Sequence, residues 1–273
     1  MTTLSNLHMH TIFSDGKNTA EEYVAAALEK GFDSIGFSDH GPAPYDSCQL
    51  PLEMVPAYLD ELECLKQKYA NQIEIYTGIE TDYYNPICAP LNRKDFDYII
   101  GSVHFIKAPD DNLYCIDYLP EYVEQLIELF GGAAEMVREY YKLVADTALT
   151  QKPDILGHMD LIKKLNLMNC FFNPAEKWYC AIVDEAIDSI AQSDCIVEVN
   201  TGGIGRGYLN EPYPSEYILK RLYAQKVPVT ITSDAHTIDK LDCAFDAVRQ
   251  FLTRVGYQSV KQLKDGCFVD VPL

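Results

Sequence analysis

Short apolar runs alternate with amphipathic helical stretches along almost the whole chain, and this alternation narrows the possible folds more than any other feature. The runs are Ser5-Asn6-Leu7, Ser34 to Phe37, Ile73 to Ile79, Tyr98 to Gly101, Ile155 to Gly157, Ile196 to Val199 and Val227 to Thr232. They are short and several are rich in β-branched residues, which favours strands over helices. Between them lie helix signals. Thr19-Ala-Glu-Glu22 reads as a capping box opening a helix that ends at Gly31. Met54, Tyr58, Leu62, Leu65 and Tyr69 share one helical face. A helix is expected from about Ala133 to Ala148. Asn173-Pro174 has the cap-then-proline form of a helix start, with Val183, Ala186, Ile187 and Ile190 facing inward. Further helices follow Pro214 and Asp242. Strands that alternate with helices pair in parallel through right-handed crossovers, giving a barrel or a doubly wound sheet. No G-x-G-x-x-G follows the first strand, which favours a closed or nearly closed barrel of about seven βα units. No composition shift marks a second domain, so residues 1–273 read as one. The longest irregular stretch, 105–131, carries Pro109-Asp-Asp and Gly131-Gly132 as breakers and is expected to form a lid or an insertion.

A chain of 273 residues, 48% hydrophobic, can bury a sizeable core and is too apolar for intrinsic disorder. Its 41 acidic residues against 22 basic ones leave a net charge of -19. That balance argues against nucleic acid, whose phosphates need a positive surface. The nine cysteines (48, 64, 88, 115, 170, 180, 195, 243 and 267) are odd in number and form no C-x-x-C, so they read as reduced thiols. The stretch from Met1 to His10 lacks the charged and apolar regions of a signal peptide. No segment approaches the ~20 apolar residues of a spanning helix. The expected location is cytoplasmic, with no membrane partner.

The six histidines all fall at or just after the C-terminal end of a predicted strand. His8 and His10 follow the first; His40, His104, His158 and His236 follow later ones. In a parallel barrel these ends form one face, where such folds hold their active sites. Acidic residues occupy matching places: Asp15, Asp39 beside His40, Glu80 at the end of the third run, Asp160 after His158, and Asp234 before His236. The two-residue spacings His8-Met9-His10 and Asp234-Ala235-His236 each put two side chains on one face of extended chain. Setting Asp39 and Asp160 aside as caps or orienting groups leaves nine candidate ligands. They are His8, His10, Asp15, His40, Glu80, His104, His158, Asp234 and His236. Nine is too many for one zinc with an open position and fits two or three ions sharing a bridging carboxylate. Mixed imidazole and carboxylate donors suit Zn, Mn or Fe.

These residues stand in motifs that resemble the polymerase and histidinol phosphatase (PHP) family: His8-Met-His10-Thr11, Ser14-Asp15-Gly16, Ser38-Asp39-His40, Gly78-Ile-Glu80, Gly101-Ser-Val-His104, Gly157-His158 and Ser233-Asp-Ala-His236. The match spans residues from about 4 to 240. The strings Asp154-Ile-Leu-Gly-His-Met-Asp-Leu-Ile-Lys163 and Glu198-Val-Asn-Thr201 are most similar to the family's stand-alone phosphatases for histidinol phosphate. The resemblance implies an α/β fold, a distorted (β/α)7 barrel with three divalent ions at the C-terminal ends of its strands. It implies one ion on His8, His10, Glu80 and Asp234, and a second on Glu80, His104 and His158. Asp15, His40 and His236 would hold the third. One departure is Asn6, where the family often has Asp two residues before the first histidine; tuning of the site, not loss of metal, is expected.

Clustered divalent ions suit phosphate-ester hydrolysis, with hydroxide between two ions attacking phosphorus in line. The expected activity is a phosphomonoesterase; the resemblance implies L-histidinol phosphate in histidine biosynthesis as its substrate, with other small nucleotide or sugar phosphates as the alternative. Asp160 is the candidate general acid. Arg206, in the glycine-rich Thr201-Gly-Gly-Ile-Gly-Arg206-Gly, is the candidate phosphate fork, assisted by Lys163 and Lys164. Two rival readings remain weaker. An amide or lactone hydrolase of the amidohydrolase type would commonly carry a bridging lysine, and no lysine ends a strand here. A module attached to a DNA polymerase would meet the unfavourable charge.

Overall fold

In the computed structural model, residues 4–87 and 91–273 are described; residues 1–3 and Cys88, read above as part of the N-terminal and thiol patterns, lie outside them. In chain order the elements are β1 (Ser5–Asn6), α1 (Ala20–Lys30), β2 (Ser34–Phe37), α2 (Val55–Tyr69), β3 (Glu74–Asp82) and β4 (Tyr98–Ser102). There follow β5 (Phe105–Lys107), β6 (Leu113–Cys115), α3 (Pro120–Phe130), α4 (Ala133–Asp146) and β7 (Ile155–Leu156). The last third holds α5 (Lys177–Ile190), β8 (Ile196–Asn200), α6 (Gly202–Gly205), α7 (Glu216–Ala224), β9 (Val229–Thr232), α8 (Phe245–Val255), β10 (Ser259–Lys264) and β11 (Cys267–Pro272).

Seven strands form one parallel sheet in the order β1-β2-β3-β4-β7-β8-β9. The ring is completed just beyond the ends of β1 and β9. The His10 amide donates to the Ala235 carbonyl at 2.9 Å, and the Ala235 amide to His8 at 3.3 Å. The helices cover the outside and bury their apolar faces against the sheet in one large core. The barrel interior is filled by Leu7, Tyr76, Tyr98, Ile100 and Ile155, with Leu263 of β10 joining them. Tyr98 crosses this interior and donates to the Leu7 carbonyl at 2.5 Å. Its ring lies so close to β3 that a Cβ at Gly78 would sit 2.2 Å from the ring carbon Cζ. Only glycine fits there. The β10–β11 hairpin lies at the opposite end from the strand C-termini, where the Asp265 amide donates to Glu74 at the start of β3.

The seven predicted strands all form, and the Thr19 capping box and the Gly31 C-cap are both present. Three local expectations change. Helix α2 starts at Val55, leaving Met54 42% exposed beyond the buried face. Asn173 caps a turn by accepting from the Ala175 amide, and α5 begins only at Lys177. The segment 105–131 is not irregular: β5 and β6 pair as an antiparallel hairpin, and α3 follows.

Candidate metal centre

All six histidines and the three carboxylates Asp15, Glu80 and Asp234 converge at the C-terminal mouth of the barrel. Glu80 is the hub. Its Oε2 lies 3.0 Å from His40 Nδ1, 3.3 Å from His8 Nε2 and 3.6 Å from His10 Nε2. Its Oε1 faces His158 Nε2 at 3.0 Å and His104 Nε2 at 3.6 Å, and accepts from Ser102 Oγ at 2.6 Å. Asp234 Oδ1 lies 3.3 Å from His10 Nε2, 3.5 Å from His236 Nδ1 and 3.9 Å from His8 Nε2. Asp15 reaches His236 Nε2 at 3.2 Å, His10 Nδ1 at 3.8 Å and His40 Nε2 at 3.9 Å.

The donor set fits divalent cations on its own geometry. His8 Nε2 and His10 Nε2 face each other at 3.1 Å. Glu80 Oε2, Asp15 Oδ1, His10 Nδ1 and His158 Nδ1 are buried with no hydrogen-bond partner. Orphaned buried acceptors are costly, and a cation between them removes the cost. Four groups bring their ligand atoms within 4.8 Å of one another: His10-Asp15-His40-His236, His8-His158-Asp234, His8-His10-Glu80 and His40-Glu80-His104. The groups overlap at His8, His10, His40 and Glu80, so the geometry alone admits more than one partition among ions.

The buried ionisable groups of the cluster shift one another strongly. Burial pushes the Glu80 carboxyl up, but His8, His104 and His40 outweigh it and hold it well below the usual carboxylate range. Burial likewise opposes the Asp234 charge, and Arg206, His8 and His10 keep it ionised. Burial would lower His40 and His104; facing Glu80, they instead rise to about 9 and about 10. His10 stays neutral, lowered to about 3 by burial and by its neighbours His236 and His40.

Around this cluster, buried polar groups fix the ligands. Glu198, in the middle of β8, accepts from His8 Nδ1 at 2.5 Å, from the His158 amide at 2.7 Å and from Thr232 Oγ1 at 2.6 Å. Bonding of a ligand's far nitrogen to a carboxylate sets its tautomer and strengthens its donation. Asp39 accepts from the Thr11 amide and from the Thr11 and Ser14 hydroxyls, which ties down the loop carrying Asp15. Gly16 closes that loop so tightly that a Cβ there would fall 2.0 Å from the His10 carbonyl oxygen. Asn6 accepts from the amides of His8 and Ser233 and donates to Ser233 Oγ, joining the first and last strands beneath the ligands. Asp234 itself is held at φ +50°, a left-handed conformation that stores strain at the site.

A cavity of about 830 Å³ opens over the cluster, lined among others by Asp15, His40, Glu80, His104, His158, Lys164, Arg206, Asp234 and His236. Arg206 therefore reaches the cavity, but it is already engaged: its Nη2 donates to Asp234 Oδ2 at 2.8 Å, and its Nη1 lies 3.1 Å from His236 Nδ1. Lys164 lines the cavity and pairs with Asp117 at 2.8 Å. Asp160 and Lys163 do not line it. Asp160 is fully buried, accepting from the Ser215 amide and pairing with Lys163 Nζ at 3.0 Å. Lys163 turns the other way, to Glu211 and the Pro212 carbonyl. Their burial removes Asp160 as the acid that meets a leaving group and Lys163 as a phosphate contact. Glu198 was not assigned a role from sequence, although a carboxylate inside the apolar run Ile196-Val-Glu198-Val is the signal that marks it.

The barrel and its converging imidazoles and carboxylates define an α/β-barrel protein with a divalent-metal site at its mouth. The PHP domain family matches residues 6–202, and the chain belongs to that family. A probable histidinol-phosphatase of Deinococcus radiodurans is 31% identical over 270 residues, covering 95% of this chain and 96% of that protein. The histidinol-phosphatase of Bacillus subtilis is 27% identical over 260 residues, covering 88% and 96%. Among solved structures, a putative histidinol phosphatase from Listeria monocytogenes superposes with a TM-score of 0.79 at 21% identity, covering 89% of this chain and 99% of that one. A histidinol phosphate phosphatase from Lactococcus lactis, complexed with Zn, L-histidinol and phosphate, superposes at 0.73 with 19% identity, covering 97% and 98%. These likenesses establish the fold. Among the described residues, no helix is long and apolar enough to cross a membrane.

Proposed function

We propose that this protein is a metal-dependent phosphomonoesterase that hydrolyses L-histidinol phosphate to L-histidinol and phosphate in histidine biosynthesis. The observation that carries the reading is the convergence of nine candidate nitrogen and oxygen ligands, Glu80 at their centre, beneath an arginine-bearing cavity. Full-length relatives named as histidinol-phosphatases support the substrate. So does the Lactococcus lactis structure complexed with Zn, L-histidinol and phosphate. The cavity accepts a small phosphorylated molecule, and the acidic surface disfavours nucleic acid. Eight free cysteines among the described residues accord with a reducing, cytoplasmic setting.

The nine ligands would hold three divalent ions, Zn, Mn or Fe. His8, His10, Glu80 and Asp234 would serve one, Glu80 with His104 and His158 a second, and Asp15, His40 and His236 the third. Bound there, the ions supply an activated water as nucleophile and positive charge for the phosphoryl oxygens. The chain's own groups do the rest. Glu80 presents one oxygen to each side of the cluster. Arg206, beside Asp234, offers its remaining donors to a phosphoryl oxygen, and Lys164 adds charge at the cavity wall. The P–O bond to water forms as the ester P–O bond breaks, and the leaving alkoxide takes a proton. With Asp160 buried away from the cavity, that proton comes from a group lining it or from water.

Elemental analysis of protein expressed in metal-rich medium should find close to three ions per chain; one ion in fully active protein would overturn the trinuclear arrangement. Steady-state kinetics should favour L-histidinol phosphate over nucleotide and sugar phosphates. Equal kcat/KM on all of them would defeat the substrate assignment.

A further inference from the structure

The hairpin and helix inserted after β4 give one wall of the cavity an aromatic and acidic character that metal binding does not require. Ile116 donates its amide to the carbonyl of His104, so the hairpin is anchored directly on a ligand. From it, Tyr114, Tyr118 and Tyr122 line the cavity, together with Tyr45 and Asp46 of the β2–α2 loop. Tyr114, Tyr122 and Tyr118 form a continuous group. Tyr114 and Tyr122 meet edge to face at 6.1 Å, and Tyr118 lies 6.4 Å from Tyr122. Tyr45 packs on Phe105 at 4.9 Å. Tyr118 is 70% exposed, so its ring is free to meet a ligand in the cavity. Asp46 has no cation paired to it among the described residues, whereas Asp117 on the same wall is already neutralised by Lys164.

We propose that Tyr114, Tyr118, Tyr122 and Asp46 form the subsite that selects the leaving group, taking a flat cationic heteroaromatic ring and its neighbouring ammonium. This rests on the phosphatase reading above and adds the part of the molecule that distinguishes one ester from another. A phosphoryl group seated on the metal cluster leaves the organic end of the ester to the cavity walls. Tyrosine faces attract a planar cation through the ring quadrupole and bury its apolar surface. Asp46 accepts from the Cys48 amide at 2.8 Å but faces no cation among the described residues, and a carboxylate so placed favours an ammonium over a neutral hydroxyl. A sugar phosphate offers neither feature, so the wall discriminates by what it leaves unpaired.

The test is the ratio of kcat/KM for L-histidinol phosphate to that for glycerol phosphate, which shares the phosphomonoester but lacks ring and amine. In Tyr118→Ala/Tyr122→Ala the ratio is expected to fall at least tenfold, and in Tyr118→Phe/Tyr122→Phe, which keeps both faces, to stay within threefold of the wild type. Asp46→Asn should lower the same ratio by raising KM for the amine-bearing ester, with metal content unchanged. A ratio that survives in the alanine variant while the wild type prefers L-histidinol phosphate overturns this subsite alone. A wild type with no preference overturns both this subsite and the substrate reading beneath it.

Discussion

A single carboxylate, Glu198, holds two of the proposed metal ligands from beneath the cavity. It accepts from His8 Nδ1, from the His158 amide and from Thr232, and so ties three strands' ends to one point. Glu198→Gln should therefore weaken metal binding or activity by roughly tenfold to a hundredfold while leaving every direct ligand in place. Elemental analysis beside kcat/KM checks it, and unchanged metal retention would show that His8 needs no such partner. Arg206 bonds to Asp234 and also lines the cavity. Its bond to Asp234 means that Arg206→Ala should raise KM for phosphate esters and also lower the metal content. A raised KM with full metal occupancy would confine Arg206 to the substrate. From sequence, Arg206 reads only as a phosphate fork, because its contact with Asp234 spans 28 positions and belongs to the folded chain. The convergence of the nine candidate ligands is legible for the opposite reason. Each sits at the end of a short apolar run, and the parallel topology alone brings those ends to one mouth. What that logic does not yield is the sorting of ligands among ions, since His10 lies within reach of both Asp15 and Asp234.

At the scale of elements, the loops after β7 and β8 are bolted together by a buried lysine. Lys163 pairs with Asp160 on its own loop and with Glu211 and the Pro212 carbonyl on the next, and it lies over the Tyr213 ring at 5.4 Å. The first of these loops carries His158 and the second carries Arg206, so the bolt sets two cavity walls relative to each other. Lys163→Met should cost about 3 kcal/mol of stability, because it leaves Asp160 buried without its cation. The double variant with Asp160→Asn should recover much of that loss, as read from thermal or denaturant unfolding. Purely additive losses would mean that the two do not act as a pair. Local pattern carried the central elements well: the β-branched runs, the Thr19 box and the inward face of α5 all depend on neighbours within a few residues. It fails where long-range packing decides. The hairpin β5–β6 is short and half-exposed, with no clean alternation to announce it. Helix α3 starts at a proline after a non-capping leucine, Leu119. The β10–β11 hairpin exists to close the barrel's far end with Leu263, a role that no local pattern encodes.

For the whole molecule, a net charge of -19 and an anionic substrate are reconciled by where the charge sits. Much of the acidity is spread over the surface, while Asp15, Glu80 and Asp234 are gathered at the mouth, where divalent ions reverse the local sign. The same arrangement makes stability depend on pH differently with and without metal. In the metal-free protein, His40 and His104 are raised to about 9 and about 10 from an ordinary 6.5; burial opposes the shift, and Glu80 causes it. Between pH 6.5 and about 9 the folded chain thus binds more protons at these two sites than the unfolded chain does. Stability contributed by such groups is complete below their unfolded pKa and is lost as pH rises through the folded value. His10, lowered to about 3, is neutral in the folded chain throughout this window; unfolded, at its ordinary 6.5, it is still partly protonated at the lower end, so it offsets part of the slope there and none of it near pH 9. The Tm of the metal-free protein should therefore fall between pH 6.5 and pH 9. Bound ions take the place of those protons, since an imidazole must be deprotonated to ligate. The metal-loaded protein should lose that downward slope, and its Tm advantage over the metal-free form should widen as pH rises. Metal uptake at pH 7 should also release protons from His40 and His104, measurable by titration calorimetry in buffers of different ionisation enthalpy. A metal-free Tm that rises across this range, or uptake without proton release, would mean that Glu80 does not hold those two imidazoles in their charged form.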